Sequence, residues 1–386
     1  MQRETVCCST HMHRVVLVML GLCGVLPGQK TDKPFVQFPP GVRAYLHRVQ
    51  VGEQKFMFTP GTDPETWRSG ARAALAEKIG LERIRRELEA FQPQVVSGER
   101  VEVGESHTRT LCAIETEPGI SVPFYLLVPR SAETGEPLPL ILCPHGHDRE
   151  GLHSYAGVFK DKAHRDKILE REGNIAERAA RRGFVALAPA TRGLAAEVSV
   201  PDLKGRHGNR PCRAQLMHCL VAGRTPVAER VWDMQCLLDW AVKHPLVDPG
   251  RIVMMGNSGG GVLTAYTAAL DERIRVAVPS CSFTSMTSAE GYIFHCDCCM
   301  VPGLRNWGDW PEIGGLVAPR HLLLVHGAED GLHNRSDVEA VAGKVKTVFK
   351  AAGVPGNMVL KWGQGGHRFY PALMWPFVDA ALAGQR

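Results

Sequence analysis

The stretch Gly256-Asn257-Ser258-Gly259-Gly260 has the form G-x-S-x-G and decides the fold of this chain. The largely apolar run 251–255 precedes it, and the run 261–270 that follows has the composition of a helix. Strand, sharp turn and helix form the context in which this motif raises a serine hydroxyl above a sheet edge. The flanking glycines let the backbone turn tightly, so that a base and a substrate carbonyl can both reach the hydroxyl. The pattern predicts Ser258 as a nucleophile, in preference to a plain glycine-rich turn.

The other members of a catalytic triad are expected downstream, because the acid and then the histidine follow the serine in hydrolases with this turn. The strand-like run 321–327 leads into Glu329 and Asp330, of which Asp330 is the predicted acid and Glu329 the alternative. A second strand-like run, 357–362, leads into a glycine-rich loop that carries His367. His367 is therefore the predicted base.

The other histidine after Asp330, His333, lies three residues on and would share the acid's loop instead of facing it. In the predicted arrangement neutral His367 takes the proton of Ser258, while Asp330 fixes the tautomer of the imidazole and stabilises its charged form.

A third segment predicts the groups that stabilise a negatively charged oxygen. The apolar stretch 138–143, with Pro139 near the start of a short buried strand, leads into Pro144-His145-Gly146-His147-Asp148. Such a loop donates one backbone N–H to an oxyanion hole, and the residue after the nucleophile donates the other. The predicted donors are the N–H groups of His147 and Gly259.

Together these stretches resemble the α/β-hydrolases of the acetyl-xylan-esterase and dienelactone-hydrolase-like group. The resemblance covers most of 138–370, and nothing before residue 94 takes part in it. It rests on 144–147, 191–193, 223–226, 256–260 with 270–274, 301–304, 316–320 and 365–367. It implies an α/β-hydrolase fold, with a mostly parallel central sheet and helices on both faces, and carboxylic-ester hydrolysis through an acyl-serine intermediate.

Two other functions stay open. A serine peptidase of the prolyl-oligopeptidase type uses the same triad order, but such enzymes usually carry a large accessory domain. A non-catalytic binding protein on the same fold would be marked by the loss of a triad residue. The predicted partner is a small-molecule or carbohydrate ester. No cofactor is expected to be needed, since Ser258 and His367 supply the nucleophile and the oxyanion hole supplies electrostatic stabilisation.

The predicted organisation has three parts: a signal peptide at 1–28, an N-terminal arm and helix at 29–93, and a catalytic domain at 94–386. The apolar run 15–26 has the length of a signal peptide core and is shorter than the ~20 residues of a membrane span. It predicts export, to the periplasm or the medium, with a cytosolic protein as the alternative.

The element pattern alternates in the manner of an α/β protein. An extended arm is predicted for 29–62 and a helix for 64–91. Further predictions are β runs at 101–103 and 122–128, strands at 184–188 and 274–278, helices at 174–182 and 228–243, and irregular, pocket-shaping insertions at 194–225 and 282–318.

Charge and cysteine content limit the remaining partners. A net charge of +5 without a basic block argues against nucleic acid. A metal site is not predicted, because the cluster His295-Cys296-Asp297-Cys298-Cys299 has a C-x-C-C spacing in place of the usual one and lacks a second half-site. Buried thiols or a disulfide are preferred there. Trp307, Trp310, Trp362 and Tyr370 are assigned to packing, with stacking on a sugar as the alternative.

Overall fold

The structure is a computed structural model that describes residues 39–50, 53–288 and 291–384. The predicted signal peptide 1–28, and residues 29–38 of the arm, lie outside the described residues. Within the described ranges, no helix has both the length and the apolar character needed to cross a membrane.

In this part of the chain one sheet has nine strands in the order β1-β2-β3-β5-β4-β6-β7-β8-β9. The strands are β1 (Gln94–Val103), β2 (His107–Glu117), β3 (Ile120–Pro129), β4 (Leu138–Leu142), β5 (Val185–Pro189), β6 (Val247–Asn257), β7 (Ile274–Ser280), β8 (His321–Gly327) and β9 (Met358–Gly363). The neighbours β1, β2, β3 and β5 pair antiparallel in that order, and all pairs from β5–β4 to β8–β9 are parallel. The loops after β4, β6, β8 and β9 therefore leave the same edge of the sheet, which brings together segments far apart in the sequence.

The α-helices cover both faces of this sheet. They are α1 (Pro40–Gln50), α2 (Pro64–Ile79), α3 (Leu81–Glu87), α4 (Gly151–Tyr155), α5 (Lys162–Glu170), α6 (Ile175–Arg181), α7 (Pro211–Ala222), α8 (Pro226–Ala241), α9 (Gly259–Leu270), α10 (Leu304–Trp307), α11 (Trp310–Gly315), α12 (Arg335–Ala351) and α13 (Pro371–Ala383). Helices α2, α3, α8, α9, α11 and α12 pack as one group, whereas α4 and α6 pack together and α13 packs on β7 and β8. The predicted α/β-hydrolase architecture is confirmed.

Three predictions of irregular structure were wrong, since the insertion predicted at 282–318 contains α10 (Leu304–Trp307) and α11 (Trp310–Gly315). Part of the predicted extended arm forms α1, which starts at Pro40, a residue whose fixed φ suits the first turn of a helix. The insertion at 194–225 contains α7, which starts at Pro211 and ends before Gly223 with φ of 70°. The helix predicted at 64–91 is present but divides at Gly80, where φ is 89°.

The aromatic residues near the predicted site belong mainly to the core. Trp307, Trp310 and Tyr370 are buried, and the ring of Trp310 stacks on that of His295 with 4.4 Å between centroids. Trp362 is partly buried beneath the guanidinium of Arg335 at 4.7 Å. Packing is thus the role of the three buried rings, and the alternative of sugar stacking was wrong for them.

A buried ion-pair network fixes the loop that follows β5. The guanidinium of Arg192 binds the carboxylates of Glu117 on β2 and Asp233 on α8, with Nε 3.0 Å from Asp233 Oδ2. All three side chains are nearly inaccessible to solvent. The network connects an antiparallel strand, a helix and the loop that follows β5.

Arg192→Ala is expected to lower the free energy of unfolding by about 3–5 kcal/mol, because it leaves the buried carboxylate of Asp233 without its cation, while Glu117 keeps its pair with Arg224. Lys162→Ala is the control, since it breaks the exposed 2.8 Å pair with Asp166 and should cost less than about 1 kcal/mol. Urea denaturation of both variants measures the difference. Equal losses would show that the Arg192 network is no more important than a surface pair.

Candidate active site

Ser258 occupies a strained turn between β6 and α9. Its φ of 58° and ψ of −123° lie in a region that a side-chain-bearing residue rarely adopts. Its N–H donates to Ser280 O at 2.9 Å, and its carbonyl accepts from Val262 N at 3.0 Å. These bonds hold the predicted nucleophile at the edge of the sheet.

Two glycines of the motif are required by close backbone contacts. A Cβ at Gly260 would lie 2.0 Å from Pro144 O, and a Cβ at Gly256 would lie 2.4 Å from the carbonyl of Gly260. A side chain at either position would push the turn away from the loop after β4. The G-x-S-x-G pattern therefore sets the shape of the turn independently of the serine.

The structure brings Asp330 and His367 together as predicted. Asp330 follows β8 and His367 follows β9, and Asp330 Oδ2 lies 2.7 Å from His367 Nδ1. The two loops are joined by a hydrogen bond from Glu329 N to Gly365 O at 2.8 Å. Glu329 is exposed while Asp330 is buried, so Asp330 is the carboxylate partner of the histidine.

The surroundings of Asp330 favour its charged form. Burial alone raises the pKa of this carboxyl, but the hydrogen bond and charge of His367, with the N–H of Leu332 at 3.0 Å, outweigh burial and lower the pKa below its ordinary value. An anionic Asp330 keeps a proton on His367 Nδ1 and leaves Nε2 as the acceptor. Nε2 has no partner among the described groups, and His367 lines the same cavity as Ser258.

The loop after β4 lies directly against the turn. A Cβ at Gly146 would be 3.0 Å from Ser258 Cβ and 3.1 Å from Gly259 N. The N–H groups of His147 and Gly259, the predicted oxyanion donors, form no backbone hydrogen bond outside regular elements in the described ranges. His147 and Gly259 line the same cavity as Ser258, which agrees with their predicted role as oxyanion donors.

His145 has a structural role that the sequence did not reveal. Its Nε2 accepts the N–H of Thr191 at 3.0 Å, and the Thr191 hydroxyl donates to its carbonyl at 2.9 Å. Burial lowers the pKa of His145 to about 4, so the ring is neutral and can accept. This pair of bonds anchors the predicted oxyanion loop to the loop that also carries Arg192.

Two cavities meet at Ser258 and His367. The smaller, of about 210 Å³, has apolar wall residues that include Val262, Phe294 and Leu332. The larger, of about 450 Å³, has a charged wall. Its charged and titratable side chains are His147, Asp148, Glu150, Tyr155, Lys160, His164, Lys167, Arg171, His367 and Arg368.

The reasoning against a second half-site near Cys296 was wrong. The structure brings Cys212, on the first turn of α7, and His147 to the side chains of Cys296 and Cys298. One ligand atom from each of the four residues lies within 4.8 Å of the others. The sequence gives no local signal for this cluster, because its members come from three separate segments.

Comparisons with known proteins agree with this architecture. The model of the prolyl oligopeptidase family matches residues 227–331, which include Ser258 and Asp330 but end before His367. A provisionally assigned hydrolase of Bacillus subtilis, YtaP, is 30% identical over 142 residues, which are 35% of this chain and 46% of that protein. The match thus spans about half the length of this relative.

Solved structures resemble the chain over most of its length. A provisionally assigned acetyl xylan esterase from Bacteroides fragilis is 18% identical, with a TM-score of 0.69 over 88% of this chain and 94% of its own. A glucuronoyl esterase from Solibacter usitatus is 14% identical, with a TM-score of 0.60 over 86% and 97%. The strand order, the turn at Ser258 and these similarities show that the chain has the α/β-hydrolase fold, with the likeness to acetyl xylan esterases that its sequence implies.

Proposed function

We propose that this protein is a serine carboxylic-ester hydrolase that acts through an acyl-serine intermediate, with an ester of a carbohydrate as substrate. The observation that carries the proposal is the 2.7 Å contact between Asp330 and His367 in a loop that shares a cavity with the strained Ser258. The three side chains have the order and the roles of a serine triad.

The reaction follows from these positions. Ser258 Oγ attacks the ester carbonyl and gives its proton to His367 Nε2, while Asp330 stabilises the imidazolium. The N–H groups of His147 and Gly259 stabilise the oxyanion. The imidazolium then protonates the leaving alcohol, which leaves an acyl-serine. Water repeats the sequence with His367 as base, and the carboxylic acid is released.

The shape of the site supports a short acyl group and a polar alcohol. The apolar cavity of about 210 Å³ is smaller than the roughly 300–1,000 Å³ of most ligand pockets. The larger cavity presents donors and acceptors on one wall, including Lys167, Arg171 and Asp148, which suit a hydroxyl-rich partner. Export, predicted from the run 15–26, would bring such an enzyme to polysaccharide outside the cell.

The peptidase alternative has less support. The matching family segment covers the turn and the acid, which serine esterases and peptidases of this fold share. Among residues 39–93, the described part contains three helices, α1 to α3, and no separate accessory domain.

Ester turnover is expected to be fast for acetylated saccharides and undetectable for proline-containing peptide amides. Among chromogenic esters of one alcohol, kcat/KM should be at least about tenfold higher for acetyl than for octanoyl, since a small pocket rejects added methylenes. Steady-state kinetics on purified protein measures both comparisons, with Ser258→Ala as blank. A preference for octanoyl would contradict the short-acyl assignment, and preferential cleavage of peptides would contradict the esterase itself.

A further inference from the structure

Four side chains of metal-ligand type meet beside the predicted oxyanion loop. His147 comes from the loop after β4, Cys212 from the first turn of α7, and Cys296 and Cys298 from the segment before α10. The proposed ester chemistry uses the backbone N–H of His147 and none of these four side chains. Their grouping therefore needs a separate explanation.

The spacing fits one tetrahedral ion. With Zn–S bonds of about 2.3 Å and Zn–N bonds of about 2.0 Å, a tetrahedron separates two sulfurs by about 3.8 Å and a sulfur and a nitrogen by about 3.5 Å. Cys212 Sγ lies 4.0 Å from Cys296 Sγ, and Cys298 Sγ lies 3.4 Å from His147 Nε2. A disulfide between Cys212 and Cys296 would require about 2.05 Å.

The positive charge of Arg230 beside the cluster also favours anionic ligands there. Arg230 on α8 is buried, and its Nη1 lies 3.4 Å from Cys298 Sγ and 3.3 Å from Cys298 O. Its other bonds go to the carbonyl of Arg192 and the amide oxygen of Gln215. Across the described chain, Arg230 takes part in no ion pair with a carboxylate within 4.0 Å.

A buried cation without a counter-charge is costly, so anionic groups are expected next to Arg230. A divalent ion held by three thiolates and a neutral imidazole carries a net charge of −1. The guanidinium of Arg230 would neutralise that charge directly.

We propose that His147, Cys212, Cys296 and Cys298 form a Cys₃His site for a divalent cation of the zinc class. The three thiols lose their protons to solvent as the metal–sulfur bonds form. Four protein ligands leave no open position, so the ion is structural and does not activate water. The ion ties the oxyanion loop to α7 and to the segment before α10, and the exposed side of His147 gives it a way in.

Metal content tests the site independently of ester turnover. Wild-type protein purified under reducing conditions and dialysed after zinc addition is expected to hold about one zinc per chain by plasma mass spectrometry. Cys212→Ala and Cys298→Ala should each lose most of it. Cys219→Ala, on the same helix as Cys212, and Cys299→Ala, next to Cys298, are matched controls that remove buried thiols outside the four-residue group.

A measurement on the unaltered protein covers the case in which a variant does not fold. Cobalt added to wild-type protein is expected to give the visible absorption of tetrahedral thiolate coordination. The proposal is overturned by wild-type protein that takes up neither ion, or by control variants that lose as much zinc as the ligand variants. A Cys212–Cys296 disulfide found by mass spectrometry of the unreduced protein would also overturn it. Because ester turnover is not the readout, failure here leaves the proposed hydrolase activity untouched.

Discussion

Ser258→Ala is expected to lower kcat for ester hydrolysis by roughly five to six orders of magnitude, the size of loss known when a serine hydrolase loses its nucleophile. Without Oγ no acyl-serine can form, and His367 has no hydroxyl to deprotonate. The fold should be kept, because the turn depends on Gly256 and Gly260, and alanine bears the same strain as serine at a φ of 58°. Kinetics together with circular dichroism measures both properties.

Ser282→Ala is the matched control. Ser282 lines the smaller cavity beside Ser258, and its buried hydroxyl is without a partner in the described chain. Its loss should change kcat by only a few fold, since Ser282 is not assigned a role in proton transfer. If Ser258→Ala kept near-normal turnover, or if Ser282→Ala were the more damaging change, the assignment of the nucleophile would be wrong.

The parts of the site that were predictable are those encoded locally. The turn at Ser258 has a motif, an apolar strand before it and a helix after it within twenty residues, 251–270. Asp330 and His367 each follow a recognisable strand, and the parallel sheet brings strand ends to one edge. The order of Ser258, Asp330 and His367 along the chain then predicted their roles as nucleophile, acid and base.

The choice between Asp330 and Glu329 needed the structure. Both follow the same strand, and the sequence cannot show that Glu329 N pairs with Gly365 O while the Asp330 side chain is buried against His367. The anchoring of the oxyanion loop could not be predicted from the sequence either, since it depends on a hydrogen bond between His145 and Thr191, which are far apart in the chain.

The four-residue cluster could not be found from sequence spacing. Its three contributing segments include α7, which was predicted to be irregular, so no ligand was expected there. Cys212 lies near Cys296 and Cys298 because α7 begins at Pro211 and packs against the short turn Asp297–Cys299. Long-range packing of the two insertions, and not a local motif, determines this part of the molecule.

Asp330→Asn is expected to lower kcat by about 10⁴-fold with little change in KM, because the loss acts on His367 and not on substrate binding. An amide at this position can donate to Nδ1, which would place the ring proton on Nε2, the atom that must accept from Ser258. The depressed pKa of Asp330 means that its charged form adds stability above the carboxyl's ordinary pKa. That contribution fades as pH falls through the lowered value and is absent in the variant.

Glu329→Gln is the control, because the Glu329 side chain is exposed and its contact with the His367 loop is made by its backbone N–H, and it should stay within about twofold of wild type in kcat and within about 0.5 kcal/mol in stability. Steady-state kinetics of both variants across pH measures the effect on kcat, and unfolding at neutral and acidic pH measures the effect on stability. A Glu329→Gln variant more impaired than Asp330→Asn would mean that the carboxylate that orients His367 during turnover is not the one 2.7 Å from its ring.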